Sequence, residues 1–225
     1  MNAPHILIAG TGKLARELLT GLAPQAHAWN DRDAVNAPLV QAVVHAGSGR
    51  ELPEILRFCR EHSVPLIELS TGTDVASLAQ GVPVVVCPNA NLLMLKFMAM
   101  LSRSGPWFRH ESIRLTESHQ AGKTSVPGTA VALASSLGLS QQAIVSVRDP
   151  AQQSGGLGIP DADLGRHAFH RLEIGEGDCR LRLETLVTGA SPYAEGVRRI
   201  VEATLAQPLE PRCHDVVEFI DKGWL

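Results

Sequence analysis

One short stretch of the chain carries side chains whose types and spacing can do chemistry. Residues 117–130 read E-S-H-Q-A-G-K-T-S-V-P-G-T-A, which places His119 and Lys123 four positions apart. A Lys ammonium and the free N–H groups of a tight turn can hold a carboxylate, and a His can hydrogen-bond or move a proton. The same spacing is common in ordinary surface loops, so spacing alone leaves both interpretations open.

A predicted helix follows this stretch directly. The run AVALASSLGL is rich in Ala and Leu, which favour helices. Gly128 and Thr129 lie near its predicted start, where a hydroxyl can cap and the first N–H groups of a helix favour an anion. With Lys123, they predict a site for a small carboxylate.

The N-terminus has the pattern of a dinucleotide-binding turn. The apolar run HILIAG ends at Gly10, and a helical pattern follows, which gives a G-x-G-x-x-A variant completed by Gly12 and Ala15. Gly10 permits the tight turn, Gly12 lets the backbone approach a pyrophosphate, and Ala15 allows close helix packing. Lys13 and Leu14 complete this set of cofactor-binding candidates. Short glycine turns also occur for purely structural reasons.

The choice of cofactor depends on the residues after the predicted second strand, 26–30. Asp31 and Asp33 flank Arg32 there. An acidic residue would bind the ribose 2′-hydroxyl of NADH, whereas an Arg would bind the 2′-phosphate of NADPH. Both cofactors stay open, and Arg32 together with Lys13 tilts the prediction towards NADPH.

The first half of the chain alternates predicted strands and helices. Apolar runs at 39–48, 64–70 and 81–90 are separated by helical patterns, of which 51–62 is the clearest. This rhythm predicts a Rossmann-type, doubly wound parallel sheet, in which ligands bind beyond the carboxyl ends of the strands. Ordinary turn chemistry accounts for some residues at those ends, but their position makes four of them cofactor candidates: Thr71, Gly72, Pro88 and Asn89.

The second half predicts an α+β domain with a mixed sheet. An apolar helix over 91–105 precedes strands at 112–119 and 143–149 and a hairpin, and the Gly-rich segment 152–165 is interpreted as a flexible connection. His167 and His170 are placed in one strand, three residues apart. Their side chains are expected on opposite faces, which argues against a shared metal, and no metal site is predicted.

Composition excludes several classes of protein. The chain has 225 residues, a net charge of −3 and only 4% aromatic residues, so neither a nucleic-acid-binding surface nor an anionic membrane is implied. Its four Cys are scattered and are interpreted as reduced thiols. No apolar run approaches the roughly 18 residues of a membrane span, and no signal peptide is recognised. A cytoplasmic protein that binds neither nucleic acid nor a membrane is therefore expected.

The stretch 117–130 resembles the active-site signature of the dihydrodipicolinate reductase (4-hydroxy-tetrahydrodipicolinate reductase) family, which reads roughly E-x-H-H-x-x-K-x-D-A-P-S-G-T-A. Three departures stand out: the second His is Gln120 here, the Asp is Ser125, and the Ser of the turn is missing before Gly128. The matching residues are Glu117, His119, Lys123, Pro127, Gly128, Thr129 and Ala130.

This resemblance continues along most of the chain. It implies a dinucleotide-binding domain over 1–92 and 193–225 and a substrate-binding, oligomerisation domain over 93–192. It also implies hydride transfer from NADPH or NADH to an unsaturated cyclic imine carboxylate, in the lysine/diaminopimelate pathway or on a related substrate, by a homotetramer. His119 and Lys123 are then the catalytic candidates. The substrate-binding candidates are Gln120, Lys123, Gly128 and Thr129.

Two alternatives remain open at this stage. The departures at Gln120 and in the turn agree with a catalytically silent, nucleotide-binding relative that acts as a regulatory or partner subunit. Retention of His119 together with Lys123 argues against it. An amino-acid dehydrogenase of related architecture is the third interpretation.

Overall fold

The computed structural model describes residues 5–34, 39–70 and 72–225. The chain forms two compact units. The first unit comprises Met1–Leu95 with Tyr193–Leu225, and the second comprises Lys96–Pro192.

The strands of the described ranges are short, between three and seven residues. They are β1 (His5–Ala9), β2 (Ala26–Ala28), β3 (Val40–His45), β4 (Leu66–Glu68), β5 (Val84–Val86), β6 (Ile113–His119), β7 (Val145–Val147), β8 (Ala168–Ile174), β9 (Leu181–Val187) and β10 (Cys213–Asp215). The α-helices in the same ranges are α1 (Lys13–Gly21), α2 (Leu52–His62), α3 (Val75–Leu78), α4 (Leu92–Ser104), α5 (Gly128–Ser136), α6 (Ala194–Ala206) and α7 (Val216–Asp221).

The first unit is built on a six-stranded parallel sheet in the order β10-β5-β4-β3-β1-β2. Alternate side chains of β1 enter two separate cores: Ile6 and Ile8 pack with α1, α6 and α7, whereas Leu7 packs with α2 and α3. Helices therefore cover both faces of the sheet. The doubly wound parallel sheet predicted from the sequence is confirmed.

The edges of this sheet differ from the sequence prediction. Strand β2 ends at Ala28 rather than at residue 30, and a 3₁₀ helix, Trp29–Ala34, follows it. The Trp29 side chain is 3% exposed and belongs to the core with α2, so its burial turns the backbone away from the strand. Strand β10 was not predicted, because three residues carry no period that distinguishes a strand from a loop.

The second unit contains the predicted mixed sheet, in the order β7-β6-β8-β9. Strands β6 and β7 are parallel, whereas β6 pairs with β8 and β8 with β9 in antiparallel register. A Cβ atom on Gly105, just after α4, would lie 2.2 Å from the carbonyl oxygen of Ser136 in α5. The absence of a side chain at Gly105 thus lets these two segments pack closely.

The segment predicted as a flexible connection, 152–165, is instead ordered by hydrogen bonds. It contains a π-helical turn, Gln152–Gly156, and a 3₁₀ turn, Asp161–Asp163. The prediction failed because Gln153, a residue type common in loops, is fully buried and donates hydrogen bonds to Ser118 and His119 at the end of β6. Each helix within the described ranges is too short or too polar to cross a bilayer.

Candidate functional site

Strand β6 carries the central polar side chains of the second unit. Glu117 and Ser118 are fully buried, and the side chain of His119, at the end of the strand, is 14% exposed. Strand pairing places Glu117 opposite Ser146 of β7 on one side and opposite His170 of β8 on the other. A polar row therefore crosses the sheet, with Glu117 and His170 buried and Ser146 at its exposed end, whereas the neighbouring pair, Leu115 and Leu172, is apolar and buried.

The Glu117 carboxylate accepts hydrogen bonds from three side chains. Arg148 Nη2 donates to Oε1 at 2.6 Å, Arg148 Nη1 to Oε2 at 3.2 Å, and the Ser146 hydroxyl also donates to Oε1. His119 Nδ1 lies 3.0 Å from Oε2. Burial raises the pKa of Glu117, but the hydrogen bonds from His119, Arg148 and Ser146 outweigh burial and lower it to about 2. Glu117 is therefore ionised at neutral pH and accepts a hydrogen bond from Nδ1–H of His119.

Two further histidines lie beside His119. The ring centroids of His167 and His170 are 6.5 and 6.0 Å from that of His119. His167 precedes β8 instead of belonging to it, and its Nε2 lies 3.0 Å from the Ser118 hydroxyl. The two rings have different partners, since His170 Nδ1 lies 3.2 Å from the hydroxyl of Thr185 in β9.

Both of these histidines have lowered pKa values. Burial, followed by the charge of His119, lowers the pKa of His170 to about 4. Burial is also the largest cause of the lowered pKa of His167. Neutral imidazoles therefore surround His119 at neutral pH.

The loop after β6 holds Lys123 in a tight turn. Lys123 N donates to the carbonyl oxygen of Gln120 at 3.0 Å, and Arg148 Nε donates to the carbonyl oxygen of Lys123, also at 3.0 Å. Among the residues that the structure describes, none forms a hydrogen bond or an ion pair with the Lys123 ammonium. The ammonium is therefore available to an anionic ligand.

Helix α5 begins two residues before the predicted run AVALASSLGL. Gly128 is its first residue, Pro127 is the N-cap, and Thr129 is the second helical residue. Gly128 is exposed, and a Cβ atom there would meet nothing within 4 Å. Helix α5 therefore begins with open space beside Gly128, on the same loop as Lys123.

The sequence prediction missed Arg148 and Gln153. Gln153 Nε2 donates to the carbonyl oxygen of His119 at 2.7 Å and to the Ser118 hydroxyl at 3.0 Å. These two hydrogen bonds fix the end of β6. Arg148 and Gln153 follow Glu117 by 31 and 36 positions, and no local spacing connects them to it. The parallel pairing of β6 with β7 brings these two residues to the end of β6. The strand predicted at 143–149 was the feature of the sequence that could have located them.

The cofactor candidates of the N-terminal turn lie in the first unit, after β1. Gly10 has φ +132°, and a Cβ atom there would lie 2.4 Å from the carbonyl oxygen of Ala46. Gly12 is the N-cap of α1, and a Cβ atom there would meet nothing within 4 Å. Lys13 is exposed and Leu14 half-buried at the start of that helix. The turn therefore has free space beside the backbone at Gly12 and an exposed cation, Lys13, next to it.

Arg32 is already engaged by neighbouring residues. Its guanidinium lies 4.5 Å from the ring centroid of Trp29 and forms an ion pair with Glu54 of α2. A 2′-phosphate would have to share this guanidinium with the Glu54 carboxylate.

The other cofactor candidates lie after β4 and β5 of the first unit. Thr71 lies outside the described residues. Gly72 is exposed with φ +85°. Pro88 is exposed, and Asn89 Oδ1 accepts a hydrogen bond from Asn91 N at 2.9 Å. In the described residues of the chain, no group of three His, Cys, Asp or Glu could hold a metal ion.

The strand ends of the first unit also contain a buried, hydrogen-bonded His–Glu pair that the sequence did not reveal. Nδ1 of His45, the last residue of β3, lies 2.9 and 2.8 Å from the two carboxylate oxygens of Glu68 in β4. Glu68 also accepts a hydrogen bond from Ser70 N, and the Ser70 hydroxyl donates to the carbonyl oxygen of Gly47. The pair thus ties together the loops that follow two neighbouring strands.

Comparison with known sequences gives relatives of one kind. The chain is 31% identical over 182 residues to 4-hydroxy-tetrahydrodipicolinate reductase 2, chloroplastic, from Arabidopsis thaliana. The match covers 71% of this chain and 51% of the plant protein, so this chain spans about half the length of that relative. No protein-family model matches the chain.

Comparison with solved structures supports the same fold. A dipicolinate-bound dihydrodipicolinate reductase from Paenisporosarcina sp. TG-14 superposes with a TM-score of 0.69 at 13% identity, over 96% of this chain and 99% of that one. An engineered D-amino acid dehydrogenase bound to NADP+ superposes with a TM-score of 0.51 at 11% identity, over 96% and 94% of the two chains. At these identities the likeness establishes the architecture alone.

Proposed function

Because the chain is a divergent relative of the 4-hydroxy-tetrahydrodipicolinate reductases, we propose that it is a nicotinamide-dependent reductase. It transfers a hydride to an unsaturated cyclic imine that carries a carboxylate, in the lysine/diaminopimelate pathway or on a related, altered substrate. Two observations carry the proposal. The ionised, buried Glu117 holds His119, and no residue in the described part of the chain pairs with the ammonium of Lys123 in the following turn. A proton donor and a carboxylate partner are the two groups that such a reduction requires of the protein.

The first unit is the proposed cofactor domain. The open backbone at Gly12, the N-terminus of α1 and the exposed Lys13 suit a pyrophosphate, which fits a dinucleotide at the carboxyl ends of parallel strands. Gly72, Pro88 and Asn89 are proposed to contact the nicotinamide end. The bound nicotinamide supplies the hydride, and either NADPH or NADH satisfies this arrangement.

His119 is the proposed proton donor. Because Nδ1 of His119 is held by Glu117, the ring is fixed in one orientation and Nε2 is left for the substrate. A hydride added to a conjugated C=N or C=C bond leaves negative charge on the adjacent atom. The imidazolium form of His119, with Nδ1–H on Glu117 and a second proton on Nε2, donates the Nε2 proton to that atom and becomes the neutral Nδ1–H form. His119 is therefore expected to affect turnover more than substrate binding.

Lys123 is the proposed partner of the substrate carboxylate. Its ammonium and the first N–H groups of α5, at Gly128 and Thr129, form a cationic end of the site. Gln120 offers an amide instead of a second imidazole, so this subsite discriminates between substrates differently from the resembled family. Lys123 is also a second possible proton source.

The proposed enzyme is a homo-oligomer, with a tetramer as the expectation from the resemblance. Strand β9 forms an edge of the mixed sheet in the second unit, and the side chains of Leu181, Leu183 and Leu186 are 47%, 36% and 45% exposed. Apolar side chains on an exposed sheet edge favour pairing with another copy of the chain.

Cofactor binding is the first test. NADPH and NADH are titrated by their fluorescence, with and without pyridine-2,6-dicarboxylate. Binding that the dicarboxylate strengthens supports both the cofactor domain and the carboxylate site, and turnover of the family substrate is measured next. If neither cofactor binds, the reductase proposal is wrong.

Two variants test the assigned roles. His119→Ala is expected to lower kcat roughly 10²-fold or more, as loss of a general acid does, with cofactor affinity unchanged. Lys123→Ala is expected mainly to raise KM for the carboxylate substrate. His110→Ala and Lys96→Ala, at exposed positions of the same unit, are the matched controls. Wild-type rates in both site variants contradict the assignment.

A catalytically silent relative is the alternative function. It is favoured by Gln120, where the resembled signature has its second His, and by the missing Ser of the turn before Gly128. It predicts cofactor binding with no turnover of any cyclic imine acid. Activity in the oxidative direction on an amino acid would instead indicate an amino-acid dehydrogenase.

A further inference from the structure

We infer that Arg148 is a positioning residue that holds His119 and Lys123 in one arrangement, an inference that rests on the proposed function. Arg148 lies directly after β7 and touches neither side-chain nitrogen of these two residues. It acts on His119 through the Glu117 carboxylate and on Lys123 through the Lys123 carbonyl oxygen.

The geometry of these contacts requires a guanidinium. Nη2 and Nη1 of Arg148 bind the two oxygens of Glu117 at 2.6 and 3.2 Å, while Nε binds the Lys123 carbonyl oxygen at 3.0 Å. Nη1 also donates to the carbonyl oxygen of Val147 at 3.0 Å. Only Arg presents donors in a rigid fork that can satisfy several acceptors at once, whereas Lys offers a point charge. One side chain thus connects the strand that carries His119 to the turn that carries Lys123.

Arg148 also provides the positive charge that keeps Glu117 ionised. The Glu117 side chain is fully buried, and a buried carboxylate is stable only with a charged or strongly hydrogen-bonding partner. The titratable or charged groups that face it are His119 on β6, Arg148 after β7 and His170 on β8. His170 is neutral at neutral pH, because its pKa is about 4. Arg148 is therefore the permanent cation of this set.

The consequence for His119 concerns which ring nitrogen carries the proton. An ionised Glu117 accepts from Nδ1–H and so fixes the tautomer and the orientation of the ring. A Glu117 that takes up a proton no longer requires a donor at this position. Loss of Arg148 should therefore leave the His119 side chain in place but no longer fix its tautomer and its orientation.

The consequence for Lys123 concerns the turn after β6. The hydrogen bond from Lys123 N to the Gln120 carbonyl oxygen closes the turn from within, and Arg148 Nε anchors it from outside. Without this hydrogen bond the Lys123 ammonium can occupy more conformations, so it binds a carboxylate more weakly. Arg148 therefore influences both kcat and KM, although it contacts no substrate.

The test compares Arg148→Met and Arg148→Lys with wild type, with Arg171→Met as the matched control. Arg171 forms a cross-strand ion pair with Glu184 in the same sheet but contacts neither Glu117 nor the Lys123 turn. For Arg148→Met we expect kcat/KM for the imine acid to fall roughly 10- to 100-fold, with NADH affinity unchanged, and for Arg148→Lys a smaller loss. Arg171→Met should retain wild-type kinetics.

Two readouts separate positioning from a general loss of structure. The acid limb of the pH–rate profile should move to higher pH in Arg148→Met, because the Glu117 pKa, about 2 with Arg148 present, rises without it. The ¹⁵N shifts of His119 should change from a single Nδ1–H form to a mixture of tautomers. If Arg148→Met does not fold, the same two measurements on Arg148→Lys decide the matter.

The inference and the proposed function fail in different ways. If wild type reduces no imine acid, the proposed function is wrong, and the ¹⁵N shifts of His119 still test Arg148. If wild type is active, and the folded Arg148 variants keep its kcat/KM and a single Nδ1–H form of His119, the positioning role is wrong.

Discussion

His45 and Glu68 form a fully buried pair at adjacent strand ends of the first unit, with Nδ1 of His45 2.8 Å from Oε2 of Glu68. Glu68 also accepts from Ser70 N. A Cβ atom on Gly47 would lie 2.8 Å from Nε2 of His45, so the glycine leaves room for the ring. The pair therefore supports the loops next to the proposed cofactor turn at Gly10.

Glu68→Ala tests the energetic importance of this pair. It leaves the buried His45 ring and Ser70 N–H without their acceptor, and each unsatisfied donor is costly, so the free energy of unfolding should fall by about 3 kcal/mol. Urea titration measures this change. Glu61→Ala, at an exposed position of α2, is the control and should change stability by less than about 0.5 kcal/mol. An equally small effect of Glu68→Ala contradicts a structural role for the pair.

The parts of this protein that follow from local patterns were predictable from the sequence. Alternating apolar runs predicted the parallel sheet. Local spacing singled out the glycine turn and the stretch with His119 and Lys123 as candidates, and their roles stay predictions. Arg148 was not found, because its contact with Glu117 depends on the parallel pairing of β6 with β7, which no local spacing reports.

Burial explains the other differences between sequence and structure. Gln153 has the composition of a loop residue, yet its amide has three acceptors around the end of β6. Trp29 ends β2 because its ring enters the core. In both cases tertiary packing decided the local conformation, and propensity did not.

His170 should make stability depend on pH in a defined window. Its pKa is lowered from an ordinary 6.5 to about 4 in the folded protein, first by burial and then by His119. Between these values the unfolded chain binds more protons, so stability falls as the pH decreases. From pH 7 to pH 4.5 the expected loss from this group is about 2 kcal/mol.

His170→Gln removes this contribution. Unfolding free energies from urea titration at pH 7 and pH 4.5 should therefore differ less in the variant than in wild type. Glu117 contributes in the same direction, but mainly between its ordinary pKa of 4.5 and its folded-state pKa of about 2, so most of its effect lies below the range from pH 7 to pH 4.5. His110→Gln, at an exposed site, should retain the wild-type pH dependence. An unchanged dependence in His170→Gln would mean that its ring is not buried in the neutral form.

The ion pair between Arg32 and Glu54 should control the preference between NADPH and NADH. In the structure Glu54 competes for the guanidinium that a 2′-phosphate would use. Glu54→Gln releases Arg32, so the affinity for NADPH should rise several-fold relative to NADH, since a charge-assisted hydrogen bond to a phosphate contributes about 1 kcal/mol or more. Arg32→Ala should lower NADPH affinity and leave NADH affinity nearly unchanged.

Fluorescence titration of both cofactors against wild type, Glu54→Gln and Arg32→Ala measures this preference. Glu61→Gln, on the exposed side of the same helix, separates the release of Arg32 from the general loss of one negative charge. If Glu54→Gln and Glu61→Gln change the ratio of NADPH to NADH affinity equally, long-range charge sets the preference and Arg32 does not contact the 2′-phosphate. If Glu54→Gln raises the ratio of NADPH to NADH affinity, Glu61→Gln leaves it unchanged and Arg32→Ala lowers it, the guanidinium of Arg32 is the group that binds the 2′-phosphate.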